Sequence, residues 1–551
     1  MSTGDRTGKP FALDAASSDW VDMTLSRLTP DEKLAQLFNL RSAGFDAAEI
    51  ERQQRFAPGS ITRVPGPDTS AERDLIAAFN AAAPVPLLVS ADLEGSRMSL
   101  AGGIEVLNPL GLAAVDDVDA TARISQIMAE EARERGINWS FTPVLDINAA
   151  FRSAIVATRG FGSDVATIER HALAQIRAFQ KSGVAATAKH WPGEGYDDRD
   201  QHLLTTVNPR TMDEWEETFG RLYRAAIAEG VMSVMSAHIA LPSFVREMDP
   251  AAALEAFRPA SISRLLNQVL LRQKLGFQGL IVSDATPMAG LGSWSSRADH
   301  LPEIVASGCD VILFSTDLEN DTALLKSALE DGSLTWERVD DAVRRQLEMK
   351  AALGLHDSSG VSVPARNVSA DRAYAAAVTR RSPTLVKDVQ HLLPLNPERH
   401  RRVLVFTTGI VFPFLPKPLP FALPGMLRAR SFEVTVHQPD TEVTPEAFDL
   451  VLYLFGDETL LTRGRIFLDW LHLSGNLIKA MQRHWHDIPT LMISFGYPYM
   501  LYDAPRVPTY INAYCTTEDM QAAVVEALLG EIPWNTHNPV DPFCGLADAR
   551  F

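Results

Sequence analysis

The sequence predicts an α/β fold: a (β/α)8 barrel of the TIM type over residues 20–355, followed by a second α/β domain over residues 383–551. Three observations predict it. Short apolar strands alternate with amphipathic helices along the first part of the chain, the pattern of a parallel sheet with crossover helices. Several of those strands end in a polar residue, namely Asp92, Asp146, His190, His238 and Asp284, and in such barrels the chemistry gathers at the carboxyl ends of the strands. Finally, a stretch rich in Ser, Gly and Val at 356–368 interrupts the pattern before a new set of strands begins.

The totals agree with two domains. A chain of 551 residues is longer than one core supports, since single cores seldom grow past about 300 residues. Hydrophobic residues make up 46% and charged residues 22%, the balance of a soluble globular protein. A net charge of −18 argues against nucleic acid or an anionic membrane as partner. The three cysteines, Cys309, Cys515 and Cys544, are scattered, which gives neither a disulfide framework nor a metal spacing. No cofactor and no metal are expected. Met1–Pro10 lacks the apolar stretch of a signal peptide and no run of 18 apolar residues occurs, so the expectation is a cytoplasmic protein.

In order along the chain, residues 1–19 read as a disordered tail. A helix then starts at Thr29-Pro30-Asp31-Glu32, where Thr29 caps, Pro30 suits the first helical position and Glu32 completes a capping box. Candidate strands are Pro86–Asp92, Trp139–Asp146, Val184–His190, Val231–His238, Gly279–Asp284 and Asp310–Ser315. Helical stretches such as Ile168–Ser182 and Met212–Gly230 lie between them, and Thr335–Leu353 closes the barrel. Residues 356–382 form a linker and connecting helix. Further strands follow at Arg402–Thr407, Leu450–Phe455 and Thr490–Ser494.

Two stretches carry the chemistry. Lys189-His190-Trp191-Pro192-Gly193-Glu194-Gly195 puts two basic residues at a strand end and then a Pro- and Gly-punctuated loop that runs on to Asp200-Gln201-His202. About 90 residues later, Gly279-Leu280-Ile281-Val282-Ser283-Asp284 is an apolar strand that ends in a carboxylate. These paired segments resemble the family 3 glycoside hydrolases, in particular the branch related to bacterial β-N-acetylglucosaminidases. That branch carries Lys-His-x-Pro-Gly-His-Gly, four residues, then Asp-Ser/Thr-His. This chain keeps the frame but has Glu194 in place of the loop histidine and Tyr196 two residues later. Leu392-Leu393-Pro394-Leu395, after Pro383–Asp388, resembles the start of that family's α/β sandwich domain. The resemblance spans residues 20–551.

The resemblance implies roles. Asp284 falls at the family nucleophile, and retaining glycosidases pair a nucleophilic carboxylate with an acid/base at the leaving oxygen. Glu194 is the first expectation for that acid/base, which requires a raised pKa. Glu458 of the second domain is an alternative, and a carbohydrate-binding or sensor protein without turnover is another. Asp92 in Asp92-Leu93-Glu94-Gly95-Ser96-Arg97, Arg159 in Arg159-Gly160-Phe161-Gly162, Lys189, His190 and His202 are the expected sugar contacts. Leu100 stands where the family often has a further arginine. Arg97 is expected to brace the barrel mouth through carboxylates such as Glu94, and Trp191 to pack rather than stack on a sugar.

The resulting expectation is an exo-acting retaining β-glycoside hydrolase that removes a non-reducing-end N-acetylglucosamine-type sugar. Glucose, xylose or an unusual amino sugar are alternatives. Some relatives are phosphorylases, and an ionised Glu194 would repel an incoming phosphate, which favours water as the acceptor.

Overall fold

A computed structural model describes residues 8–357 and 365–551. Eight barrel strands follow one another: β1 Phe38–Ala43, β2 Ser60–Val64, β3 Leu88–Ala91, β4 Trp139–Ser140, β5 Thr187–Trp191, β6 Ser233–Ser236, β7 Leu280–Ser283 and β8 Ile312–Leu313. Each pairs in parallel with its neighbour, and β8 returns to β1 through Phe38–Ile312 and Asn39–Leu313. Two of the seams are isolated parallel bridges rather than ladders: Trp139–Ala185 and Val144–Lys189 between the β4 and β5 segments, and Val282–Val311 between the β7 and β8 segments. The ring is therefore closed.

The sequence reading finds six of these strands and misses β1 and β2. Both carry polar residues into the interior, so neither shows an apolar run. Asn39 donates to Ser90 Oγ (3.1 Å) and accepts from Thr62 Oγ1 (2.7 Å). Arg63 makes two 2.9 Å contacts with buried Glu72. Satisfied buried polar groups of this kind hide a strand from a hydrophobicity pattern. The stretch Trp139–Asp146 is a strand only to Ser140, with one further bridge from Val144 to Lys189.

The expected tail needs correction from residue 8 onward. Phe11 is buried, and a helix over Ala15–Arg27 begins with the Asp14 carboxylate accepting from the Ser17 amide. Residues 1–7, and 358–364 of the expected linker, lie outside the described residues. The Thr29–Glu32 capping box is present, and the closing helix runs Trp336–Ala352 with Thr335 as its cap.

The second domain holds a six-stranded sheet of β9 Thr384–Asp388, β10 Arg402–Val411, β11 Glu433–Val436, β12 Leu450–Asp457, β13 Thr490–Ser494 and β14 Thr509–Asn512. Their order is β9-β14-β13-β12-β10-β11, with only β9–β14 antiparallel. Val403 and Val405 face one side of the sheet, and Leu404 and Phe406 the other. Both faces are covered, which explains the continuous apolar strands. Helices Val368–Thr379 and Glu518–Leu528 cover the first face. On the other, Leu460, Tyr497 and Met500 pack against Leu110, Ala154 and Ala157 of the barrel.

Candidate active site

The residues that the sequence singled out meet at the carboxyl ends of β3, β5 and β7. Asp284 follows β7, with its amide donating to Ser236 O (2.8 Å) and its Oδ1 accepting from the Ala285 amide (2.7 Å). Burial alone would raise its pKa. The imidazoles of His238, His190 and His202 outweigh burial and hold the carboxyl below its ordinary value. An ionised carboxylate results, as nucleophilic attack requires.

On the β3 side, Glu94 is the hub. Arg159 grips it with two parallel bonds, Nε to Oε2 at 2.8 Å and Nη2 to Oε1 at 2.9 Å. Lys189 Nζ lies 2.7 Å from the same Glu94 Oε1 and 3.1 Å from Asp92 Oδ1. Glu94 is fully enclosed, whereas the Asp92 side chain is 43% exposed, so Asp92 is the carboxylate with room for a ligand. Burial would lower the Lys189 pKa, but the Glu94 and Asp92 charges raise it. Two cations and two carboxylates thus form a fixed lattice.

His190 is already occupied by the protein. Its Nδ1 donates to Asp146 Oδ2 (2.5 Å) and its Nε2 accepts from Arg159 Nη2 (3.2 Å). Asp146 Oδ1 also accepts the amides of His190 and Glu194. Asp146, His190 and Glu194 lie close enough to share a cation, but the His190 nitrogen facing Asp146 carries the hydrogen-bonded proton, and a guanidinium sits at the other. This donor set does not suit a metal.

Local backbone geometry sets the loop. The helical stretch after β5 widens into a π turn at Glu216–Gly220, and Phe219 of that turn packs on Gly193, where an added Cβ would lie 2.2 Å from the ring. At Gly195, with φ of +115°, an added Cβ would lie 1.8 Å from Ile147 O. Only glycine fits either position.

Glu194 sits between them, buried. Gln201 bridges it to the next strand: its Oε1 accepts the His238 amide (3.2 Å) and its Nε2 donates to Glu194 Oε2 (3.0 Å). Glu194 Oε1 has no hydrogen-bond partner among the described residues. Burial first, then the charge of Asp146, push the Glu194 carboxyl well above the usual range, and Asp200 and Asp284 add to this. This environment favours the protonated form of Glu194. Tyr196 stands beneath the Arg210 guanidinium (4.6 Å) and edge-on to Phe219 (6.0 Å).

The end of the loop holds a second acid–base arrangement. Asp200 Oδ1 accepts both the His202 amide (2.8 Å) and His202 Nδ1 (2.7 Å). His202 Nε2 has no hydrogen-bond partner among the described residues, and the side chain is 21% exposed. The His202 carbonyl accepts the Ala289 amide at 3.0 Å, which fixes the segment beside the chain leaving Asp284.

Other expectations change. Glu458 is a bolt between domains rather than a free acid: its Oε1 accepts from Ser96 Oγ (2.8 Å), the Thr516 amide (2.9 Å) and Thr516 Oγ1 (2.7 Å). Arg97 reaches Thr516 Oγ1 (2.7 Å) and not Glu94. His238 is enclosed, with Nε2 donating to Ala285 O (3.0 Å) and Nδ1 accepting from Ser261 Oγ (2.8 Å). Trp191 packs as expected, edge-on against Trp215 and Tyr223. The sequence reading gave no site role to Glu94 or Gln201. The Asp-x-His spacing of Asp200 and His202 was the available signal for a supported imidazole.

Residues 30–349 match the glycosyl hydrolase family 3 N-terminal domain. The chain belongs to glycosyl hydrolase family 3. It is an exo-acting β-glycoside hydrolase, with the sugar left open by the comparisons. A β-N-acetylglucosaminidase/β-glucosidase of Cellulomonas fimi is 37% identical, over 99% of this chain and 100% of that one. A structure of the β-glucoside phosphorylase BglX bound to 2FGlc is 33% identical, has a TM-score of 0.91, and covers 98% of this chain and 99% of its own. The fold is also that of a family 3 β-N-acetylglucosaminidase from Paenibacillus sp. str. FPU-7, with a TM-score of 0.79 at 23% identity over 94% of this chain and all of the other.

Proposed function

We propose that this glycoside hydrolase removes a non-reducing-end β-linked N-acetylglucosamine or glucose unit by double displacement with retention. Asp284 attacks the anomeric carbon, and His202, supported by Asp200, protonates the leaving oxygen and then activates the acceptor. The observation that carries this reading is the Asp200–His202 pair: one imidazole nitrogen is anchored to a carboxylate at 2.7 Å, and the other has no hydrogen-bond partner among the described residues. An imidazole can donate a proton from a ring nitrogen and take one back on it, which suits a group that must act as acid and then as base. Asp92 and Lys189 hold sugar hydroxyls, while Arg159 and His190 position them. The full-length likeness to a β-N-acetylglucosaminidase/β-glucosidase supports the two sugars. A cytoplasmic site belongs to the same proposal, supported by three cysteines without disulfides.

A second reading keeps Glu194 as the acid/base. The observation favouring it is the raised pKa of its buried carboxyl, whose Oε1 has no hydrogen-bond partner among the described residues. Against it stands the cost of ionising Glu194 among Asp146, Asp200 and Asp284, which makes it a weak acid for the first step. A neutral Glu194 also removes the repulsion that disfavoured phosphate as acceptor, and the likeness to a phosphorylase makes phosphate worth testing.

The experiment is aryl release from β-N-acetylglucosaminide and β-glucoside substrates, with and without inorganic phosphate, for wild type, Asp284→Asn, His202→Ala and Glu194→Gln. The proposal expects loss in Asp284→Asn, and loss in His202→Ala that is most severe for poor leaving groups. That pattern of loss in Glu194→Gln, and not in His202→Ala, would transfer the acid/base role to Glu194. Sugar 1-phosphate as the main product would make phosphate the acceptor.

A further inference from the structure

One contact reaches the Asp200–His202 pair from outside the barrel. Asp200 is 2% exposed. His202 uses its Oδ1 twice, and its Oδ2 accepts a single bond among the described residues, from the main-chain amide of Thr462 at 2.8 Å. Thr462 belongs to the second domain. Burial alone would raise the Asp200 pKa, but the bonds from His202 and from this amide hold it down.

The segment that delivers the amide is tethered to the barrel along its length. Glu458 accepts from Ser96, Thr459 Oγ1 lies 3.1 Å from Thr158 Oγ1, and the Leu460 amide donates to Ala154 O at 3.2 Å. Thr462 then adopts φ of +66°, a left-handed conformation that β-branched residues rarely take. Its hydroxyl turns back to Leu461 O (2.6 Å) and its side chain is exposed. The amide, and not the side chain, is what the barrel receives. A β-branched residue held in a rare conformation by surrounding tethers is a sign of a functional constraint.

We propose that residues 458–462 of the second domain form a positioning element for the barrel's acid/base, with the Thr462 amide fixing Asp200 in the orientation that supports His202. This rests on the reading of His202 as the acid/base. The catalytic barrel is then incomplete without the second domain, through one main-chain hydrogen bond that no side-chain pattern records.

The test compares Thr462→Gly, which keeps the amide and suits the backbone conformation, with Thr462→Pro, which removes the donor. Both are assayed in the full chain on phenyl and 2,4-dinitrophenyl β-glycosides of the sugar the wild type cleaves. Thr462→Pro is expected to lower kcat/KM for the phenyl substrate by about 10-fold or more, and to leave the dinitrophenyl substrate, which departs without protonation, within about twofold. Thr462→Gly is expected to match wild type on both. If Thr462→Pro does not fold, an amide-to-ester replacement at the Leu461–Thr462 bond removes the same donor. Equal loss on both substrates, or no loss on either, overturns the inference. His202→Ala run alongside separates the two levels. Should it lose the phenyl substrate while the Thr462 variants do not, the inference alone fails. Retained phenyl turnover in His202→Ala overturns the acid assignment, and the inference with it.

Discussion

Arg159 and Glu94 meet as a planar fork on a carboxylate, 65 positions apart in sequence, with both side chains enclosed and Lys189 on the same oxygen. Removing one partner of a buried, hydrogen-bonded pair leaves an uncompensated charge. Glu94→Ala is therefore expected to destabilise the protein by about 3–5 kcal/mol in urea unfolding. The double variant Glu94→Ala/Arg159→Met should cost less than the sum of the two single variants. Additive losses would mean that the two groups are not energetically coupled.

Glu194 gives a pH prediction with a definite sign. Its folded pKa is raised above the unfolded value, so the folded state favours the protonated form. That contribution is fully present below the unfolded pKa, about 4.3 for a free glutamate. It is lost as pH rises through the raised folded pKa. Thermal midpoints of wild type should fall relative to Glu194→Gln as pH rises above about 4.3, and converge in acid. A constant offset across pH would contradict a protonated Glu194.

Trp191 tests packing against sugar stacking. Its ring centroid lies 4.8 Å from that of Tyr223 and 5.7 Å from that of Trp215, both edge-on. Trp191→Ala is expected to cost about 3–5 kcal/mol, while Trp191→Phe should keep KM close to wild type. A large KM rise in a stable Trp191→Phe protein would show that the ring touches substrate.

Gly195 is a steric prediction. An alanine Cβ would stand 1.8 Å from Ile147 O at a φ that alanine avoids, so the loop must move. Gly195→Ala should lose most of its turnover while the barrel stays folded by circular dichroism. Near-wild-type turnover would show that the loop tolerates displacement.

The barrel was legible where its strands are apolar, as in Leu280–Ser283, and illegible where they carry buried polar pairs, as in Asn39, Thr62 and Arg63. The sequence pattern reached the positions of Asp92, Lys189 and Asp284 because strand ends project into the mouth. The Glu94–Arg159–Lys189 lattice escaped it, because pairing between strands distant in sequence leaves no periodic trace. Glu458 stood out beside Asp457 in the sequence, yet its Oε1 is engaged by Ser96 and Thr516, which only the packing of the two domains reveals. Thr462 left no signal at all, since the group it contributes is an amide that every residue but proline carries.

The most direct test of the double-displacement account is to trap its intermediate. Incubation with a 2,4-dinitrophenyl 2-deoxy-2-fluoro-β-glucoside, followed by peptide mass spectrometry, should find the fluorosugar on the peptide that carries Asp284, with Asp284→Asn unlabelled. The electronegative fluorine slows both steps, and the good leaving group lets the first step proceed, so the glycosyl-enzyme accumulates. A label on any other carboxylate, or turnover that yields the inverted anomer with no label, would contradict Asp284 as the nucleophile.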